Sequence, residues 1–146
     1  MMNTVRHILQ VKGYDVWSTT PRTTVYDALR MMADKNVGAL LVMDGEKVMG
    51  IFSERDYARK VVLQGRSSKE TLVSEIMTSK LVTIHPDQTI EEAMELMTNK
   101  RVRHLPVMED DHLLGMISIG DVLREIIYVQ LNTIRQMEEK ILGREK

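Results

Sequence analysis

The chain has no cysteine in its 146 residues, which excludes disulfides, thiolate nucleophiles and cysteine-held metal. It also lacks an excess of charge of either sign: 20 Lys and Arg stand against 21 Asp and Glu, a net of -1, with acids and bases interspersed. No electrostatic footprint for nucleic acid or an anionic membrane follows from such a balance. No apolar run approaches the roughly eighteen residues of a membrane helix, and the N-terminal MMNTVRHILQVKGYD has neither the apolar stretch nor the small-residue cleavage site of a secretory leader. The expectation is a soluble, cytoplasmic protein with no nucleic-acid and no membrane partner. A glycine-rich P-loop and a dinucleotide fingerprint are both missing, so phosphoryl and hydride transfer have no apparatus. The four histidines show no metal-ligand spacing; no metal is expected, and His7 and His112 read as surface residues.

What is present is a repeat. Residues 16–62 align with 81–127 at a constant shift of 65 and without a gap, carrying Pro21 to Pro86, Thr24 to Thr89, Ala28 to Ala93, Gly50 to Gly115, Ser53 to Ser118 and Asp56 to Asp121. A match of that length is a duplicated unit. In each copy a hydroxyl and a carboxylate three residues apart (Thr24 and Asp27, Thr89 and Glu92) fit a capping box at a helix start. Apolar residues follow at helical spacing, Val25, Ala28, Leu29 and Met32 in one copy and Ile90, Ala93, Met94 and Met97 in the other. Two apolar strands joined by a polar turn come next, over 39–43 and 48–52, then 104–108 and 113–117, before the pattern returns to helical period. Short first strands are expected at 16–19 and 81–84. The fold class expected is therefore α+β: two tandem β-α-β-β-α repeats packed sheet to sheet with pseudo-two-fold symmetry, since a three-stranded sheet is small for independent stability. The boundaries expected are 1–65 for the first repeat with its N-terminal segment, 66–128 for the connector and second repeat, and 129–146 for a helical extension. The helical pattern that leads into it, from beyond Asp121 to about Leu142, places Leu123, Ile127, Ile134, Met137 and Ile141 close to coiled-coil spacing and reads as a self-association surface. The twelve methionines read mostly as core filler, and Trp17 as a core residue at the first strand.

Each copy ends its last strand in Ser-x-x-Asp, within GIFSERD (50–56) and GMISIGD (115–121). Locally this is a capping box and needs no ligand. Two such caps, brought together about a pseudo-two-fold axis, would however flank a cleft. A helix start receives phosphate, and a carboxylate beside it accepts hydrogen bonds from a ribose diol. A group that is diol at one end and phosphate at the other is a nucleotide.

The repeat, its strands VGALLV (37–42) and RHLPV (103–107), its two Ser-x-x-Asp ends and the inter-repeat VSEIMT (73–78) resemble a tandem pair of CBS domains (cystathionine beta-synthase domains) over nearly the whole chain. The resemblance implies a Bateman module that does not catalyse, associates as a flat homodimer, and binds an adenosine ligand between its repeats: AMP, ADP, ATP, S-adenosylmethionine or NAD(H). It would regulate a partner protein that the sequence does not identify. Position by position, it implies a first cleft of Ser53, Arg55, Asp56, Met77, Lys80, Val82, Val102, Arg103 and His104, with Ser53 and Asp56 on the ribose and Arg55, Arg103 and His104 toward phosphate. A second, weaker cleft would use Val16, Ser18, Val37, Gly38, Ser118 and Asp121; there Gly38 and Ala39 stand in place of Arg103 and His104, and Gly120 in place of Arg55. The other readings weighed are a ligand-independent dimerisation or docking module, whose Ser-x-x-Asp pairs only cap helices, and a Ser53–His104–Asp56 hydrolase triad, for which nothing marks Ser53 as a nucleophile.

Overall fold

A computed structural model describes residues 3–143. Its elements run α1 (Val5–Lys12), β1 (Ser18–Thr19), α2 (Val25–Lys35), β2 (Ala39–Asp44), β3 (Lys47–Ser53), α3 (Glu54–Tyr57), a π-helical turn (Ala58–Val62), α4 (Val73–Ile76), α5 (Ile90–Lys100), β4 (His104–Glu109), β5 (His112–Ser118) and α6 (Ile119–Ile141). The class is mixed α+β with a long C-terminal helix, as the periodicities predict; the described residues form two sheets and six α-helices, α1 and α4 among them not announced by the repeat.

Two compact units divide the chain. One runs from Asp15 to Leu81; the other joins the segment ending at Tyr14 to everything from Val82 onward. This cut differs from the repeat boundary at 65/66, because the segments preceding each repeat are exchanged. In the 15–81 unit the connector docks through Val73 N–H to Thr23 O at 2.8 Å, Ser74 N–H to Pro21 O at 3.1 Å and Val25 N–H to Thr71 O at 2.8 Å. In the other unit the N-terminal segment makes the same three bonds: Val5 N–H to Gln88 O at 2.8 Å, Arg6 N–H to Pro86 O at 2.8 Å and Ile90 N–H to Asn3 O at 3.0 Å. The acceptors Pro21 and Pro86 keep the shift of 65, whereas the donors Val5 and Val73 are 68 apart. Burial explains the exchange. Val5, Ile8 and Leu9 are buried among Ile84, Ile90, Ala93, Met97, Leu105, Val107, Ile117 and Val122, while Val73 and Ile76 are buried with Val25, Ala28, Met32, Leu40, Val42 and Phe52.

The hairpins are copies of each other down to their irregularity. β2 pairs antiparallel with β3 and β4 with β5, and the register slips between Val42 and Met43 in one and between Val107 and Met108 in the other. The first strands are shorter than expected, and unequal. β1 pairs parallel with β2 through only two residues, whereas Ile84 makes a lone parallel bridge to Val107, so that the second sheet has two strands. Proline is the cause. Leu41 N–H donates to Trp17 O at 3.2 Å in the first copy, but the matching position in the second is Pro106, which has no N–H to give Val82. Trp17 is not a core residue: it is 40% exposed, with the Lys35 ammonium 4.3 Å from its ring centroid.

The docked segments press on the two matched glycines. A methyl group at Gly50 would stand 2.7 Å from the Thr78 carbonyl oxygen and 3.0 Å from Met77 Sδ, and one at Gly115 would stand 2.8 Å from a Leu9 methyl. A backbone carbonyl held in a bridge cannot step aside, whereas a leucine methyl can rotate. Gly50→Ala is therefore expected to destabilise the protein by about 1–3 kcal/mol and Gly115→Ala by less, read from urea midpoints. Equal losses, or the reverse order, would contradict this docking.

Candidate ligand site at the two helix entrances

In the 15–81 unit Ser53 closes β3 in extended conformation and caps α3. Its hydroxyl accepts from Asp56 N–H at 3.2 Å. Asp56 Oδ2 accepts in return from Ser53 N–H at 3.0 Å and from the Ser53 hydroxyl at 3.1 Å. Oδ1 accepts from the Thr78 hydroxyl at 3.0 Å and faces Lys60 Nζ at 3.1 Å. Four donors fill the roughly four acceptor positions of a carboxylate. Asp56 is 7% exposed.

The other unit repeats the construction with different donors. Ser118 caps α6, its hydroxyl accepting from Asp121 N–H at 3.2 Å, and Asp121 Oδ2 accepts from Ser118 N–H and from Lys12 Nζ, each at 2.8 Å. Oδ1 accepts from Arg124 Nη2 at 2.6 Å, and Lys12 also donates to Met116 O. Asp121 is likewise 7% exposed. The other carboxylates that cap helix starts among the described residues, Glu75 at Leu72 N–H and Glu92 at Thr89 N–H, are exposed, and so is Asp27, which donates its N–H to Thr24 without closing the capping box expected there. Capping alone thus does not require the burial found at Asp56 and Asp121.

The residues assigned to the first cleft divide between the units. Ser53, Arg55, Asp56, Met77 and Lys80 belong to 15–81, and Val82, Val102, Arg103 and His104 to the other. Of the second set, Val16, Ser18, Val37 and Gly38 belong to 15–81, and Ser118 and Asp121 to the other. Val37 and Gly38 line a surface hollow of about 370 Å³ with Leu29, Met32 and Glu54, and Gly38 O accepts from Glu54 N–H at the start of α3. His104 stands opposite Ser118 in the β4–β5 ladder, which puts its ring in the field of Asp121 and Lys12.

Four side chains that hold these aspartates escaped the sequence reading. Lys60 and Arg124 lie four and three residues beyond their aspartates, a helical spacing that was legible. Thr78 and Lys12 reach Asp56 and Asp121 only because the exchanged segments dock there, and no local pattern announces that. Lys12 and Arg124 also change the comparison of the two entrances: Asp121, which looked deprived of cations, holds two.

The Ser53 hydroxyl is engaged by Asp56, accepting from its N–H and donating to its Oδ2, the arrangement of a cap. His85, Asp87 and Glu109 bring ligand atoms within 4.8 Å of one another. The Arg6 guanidinium occupies this cluster, bonding Asp87 and Glu109 at 3.1 Å, while His85 Nδ1 accepts from Asp87 N–H. It reads as an ion-pair cluster fastening α1.

Two groups in the second entrance make stability depend on pH. Burial pushes the Asp121 carboxyl up, but Lys12 and the Ser118 amide together pull it below its ordinary 3.8; its contribution is present above that value and lost as pH falls below it. Burial, opposed by Asp121 and aided by Lys12 and Arg103, lowers His104 from 6.5. The unfolded chain then takes up a proton that the folded one refuses, so stability declines as pH falls from 6.5. His104→Gln is expected to show a smaller drop in urea midpoint between pH 7 and pH 5 than the parent protein; an equal drop would contradict the placement of this ring.

A family model described as "CBS domain" matches residues 5–63 and 73–128. The chain is 41% identical over 150 residues to "CBS domain-containing protein CBSX3, mitochondrial" of Arabidopsis thaliana, covering 96% of this chain and 72% of the relative. A solved structure with CBS domains from Burkholderia ambifaria MC40-6 superposes with a TM-score of 0.84 at 50% identity, covering 86% of this chain and 95% of that one. The CBS domain pair of protein MJ0100, solved in complex with 5′-methylthioadenosine and S-adenosyl-L-methionine, shares the fold with a TM-score of 0.74 at 22% identity, covering 85% and 95%. Two matched copies, the doubled hairpin and Ser-x-x-Asp entrance, and neighbours that align over nearly their whole length agree: the chain belongs to the CBS-domain family, as a tandem pair.

Proposed function

We propose that this CBS pair is a non-catalytic regulatory module that binds an adenosine nucleotide, AMP, ADP, ATP or NAD(H), at its Ser53–Asp56 and Ser118–Asp121 entrances. The carrying observation is the burial of Asp56 and Asp121, each 7% exposed, beside the exposed caps Glu75 and Glu92. A ribose diol would donate to these carboxylates by replacing donors already there. Lys60 is the exchangeable one at Asp56, its side chain 43% exposed, and Lys12 at Asp121, 36% exposed. A displaced ammonium is then placed to meet the ligand's phosphate, where charge-assisted bonds are about twice as strong as neutral ones. Lys60 also donates to Ile76 O of the docked connector at 3.1 Å, and Lys12 belongs to the docked N-terminal segment, so exchange at either aspartate changes how firmly a segment is held. That supplies the differential interaction through which a ligand could bias one arrangement over another and so modulate a regulated protein. The solved MJ0100 pair with its adenosine compounds supports the ligand class. No helix among the described residues is long and apolar enough to cross a membrane, and the cytoplasm remains the compartment proposed from the sequence.

A second reading is favoured by the saturation of both carboxylates by their own chain: a docking module that takes no ligand. A thermal-shift panel of AMP, ADP, ATP, NAD, NADH, S-adenosylmethionine and GTP separates the two. Adenosine compounds are expected to stabilise the protein by about 2.7 kcal/mol at a hundredfold excess over Kd, with GTP inert. Asp56→Asn, folded by circular dichroism, should lose all or part of that shift. A flat panel on protein shown to be free of bound nucleotide would favour docking.

A further inference from the structure

The two docked segments present the same apolar set to their units. Val5, Ile8 and Leu9 on one correspond to Val73, Ile76 and Met77 on the other, at the constant separation of 68. Valine and isoleucine are unchanged, and leucine for methionine is a volume-conserving exchange that cores tolerate. The backbone bonds that seat the two segments are also alike. Neither packing nor backbone therefore says which segment belongs in which unit. Charge does.

Residues 3–14 carry Arg6, His7 and Lys12 and no acid. Each of the three meets a carboxylate of its unit. Arg6 Nη2 lies 3.1 Å from both Asp87 Oδ1 and Glu109 Oε2, Lys12 Nζ 2.8 Å from Asp121 Oδ2, and His7 Nε2 3.4 Å from Glu125 Oε1. Glu125 is buried, and Asn3 Nδ2 donates to the same oxygen at 2.7 Å. In the 15–81 unit the shift of 65 keeps two of these four acids, as Asp44 and Asp56, and inverts the other two: Asp87 becomes Arg22 and Glu125 becomes Lys60. The segments change in the opposite sense. Where α1 has His7 the connector has Glu75, and where α1 has Arg6 it has the uncharged Ser74. Ser74 N–H reaches Pro21 O, next to Arg22, as Arg6 N–H reaches Pro86 O, next to Asp87. Lys60 Nζ donates to Ile76 O, next to Glu75, at 3.1 Å.

We infer that this reciprocal inversion is the address that assigns each segment to its unit, with Glu125 and Lys60 as the determining residues. An N-terminal segment laid in the 15–81 unit would set Arg6 against Arg22 and His7 against Lys60. A connector laid in the other unit would set Glu75 against the buried Glu125. Like charges opposed across a contact are costly, so each unit rejects the wrong segment as well as attracting the right one. Thr78 and Lys12, which reach the two buried aspartates, arrive there only with the correct assignment. The address is independent of the nucleotide proposal.

The test is amide hydrogen exchange on the full chain, with the connector amides of Met77 and Thr78 as an internal reference. Glu125→Lys gives the second unit the lysine of the first, so the Ile8 and Leu9 amides should exchange at least about tenfold faster while Met77 and Thr78 keep their rates. Adding His7→Glu, which copies Glu75 of the connector, should bring Ile8 and Leu9 back to within about threefold of the parent. Packing alone would not be rescued by a new charge. Should Glu125→Lys not fold, Arg6→Glu, at a side chain 38% exposed, and its double with Asp87→Arg make the same comparison. Unchanged exchange of α1 in the single variants, a loss spread evenly over the unit, or a loss that the opposite charge at the partner position does not recover would overturn the inference and leave chain connectivity to place the segments.

Discussion

Each compact unit is joined at one buried aspartate. Asp56 binds the end of β3, the start of α3 and, through Thr78, the docked connector; Asp121 binds the end of β5, the start of α6 and, through Lys12, the docked N-terminal helix. Three pieces of chain distant in sequence meet on one carboxylate. Such a group is costly to bury unless paired, and removing one of its partners leaves charge uncompensated. The surrounding side chains follow from that constraint: an i+4 lysine in one unit, an i+3 arginine and a docked lysine in the other.

Much of this was readable beforehand. The shift of 65 located both hairpins and the Ser-x-x-Asp entrances, and the heptad-like face marked the long last helix, because local periodicity survives in the fold. What stayed hidden is non-local. The docked segments repeat at 68 rather than 65, and α4 is a single turn, too short for a hydrophobic period to show. Pro106 was visible, but its effect depends on knowing that the matching Leu41 N–H is the donor to the first strand. Trp17 looked like core on composition and lies half in solvent under Lys35.

The two entrances have the same plan and different chemistry. Asp56 rests on a neutral hydroxyl and one lysine, whereas Asp121 rests on a lysine and an arginine, with His104 opposite its capping serine. In the proposed exchange, a ligand that displaces Lys60 would leave Asp56 with the neutral Thr78 hydroxyl, whereas one that displaces Lys12 would leave Asp121 with the Arg124 guanidinium still bound. Duplication thus preserved the geometry of the joint while its partners diverged.

Amide hydrogen exchange in Asp56→Asn tests the joint most directly. Thr78 N–H is bonded to Ile51 O at 2.9 Å, within the bridge that holds the connector on β3. If the aspartate fastens that segment, the Thr78 and Met77 amides should exchange at least about tenfold faster in the variant while the β2–β3 ladder keeps its protection. Unchanged exchange at Thr78, or a uniform loss across the whole unit, would contradict the account.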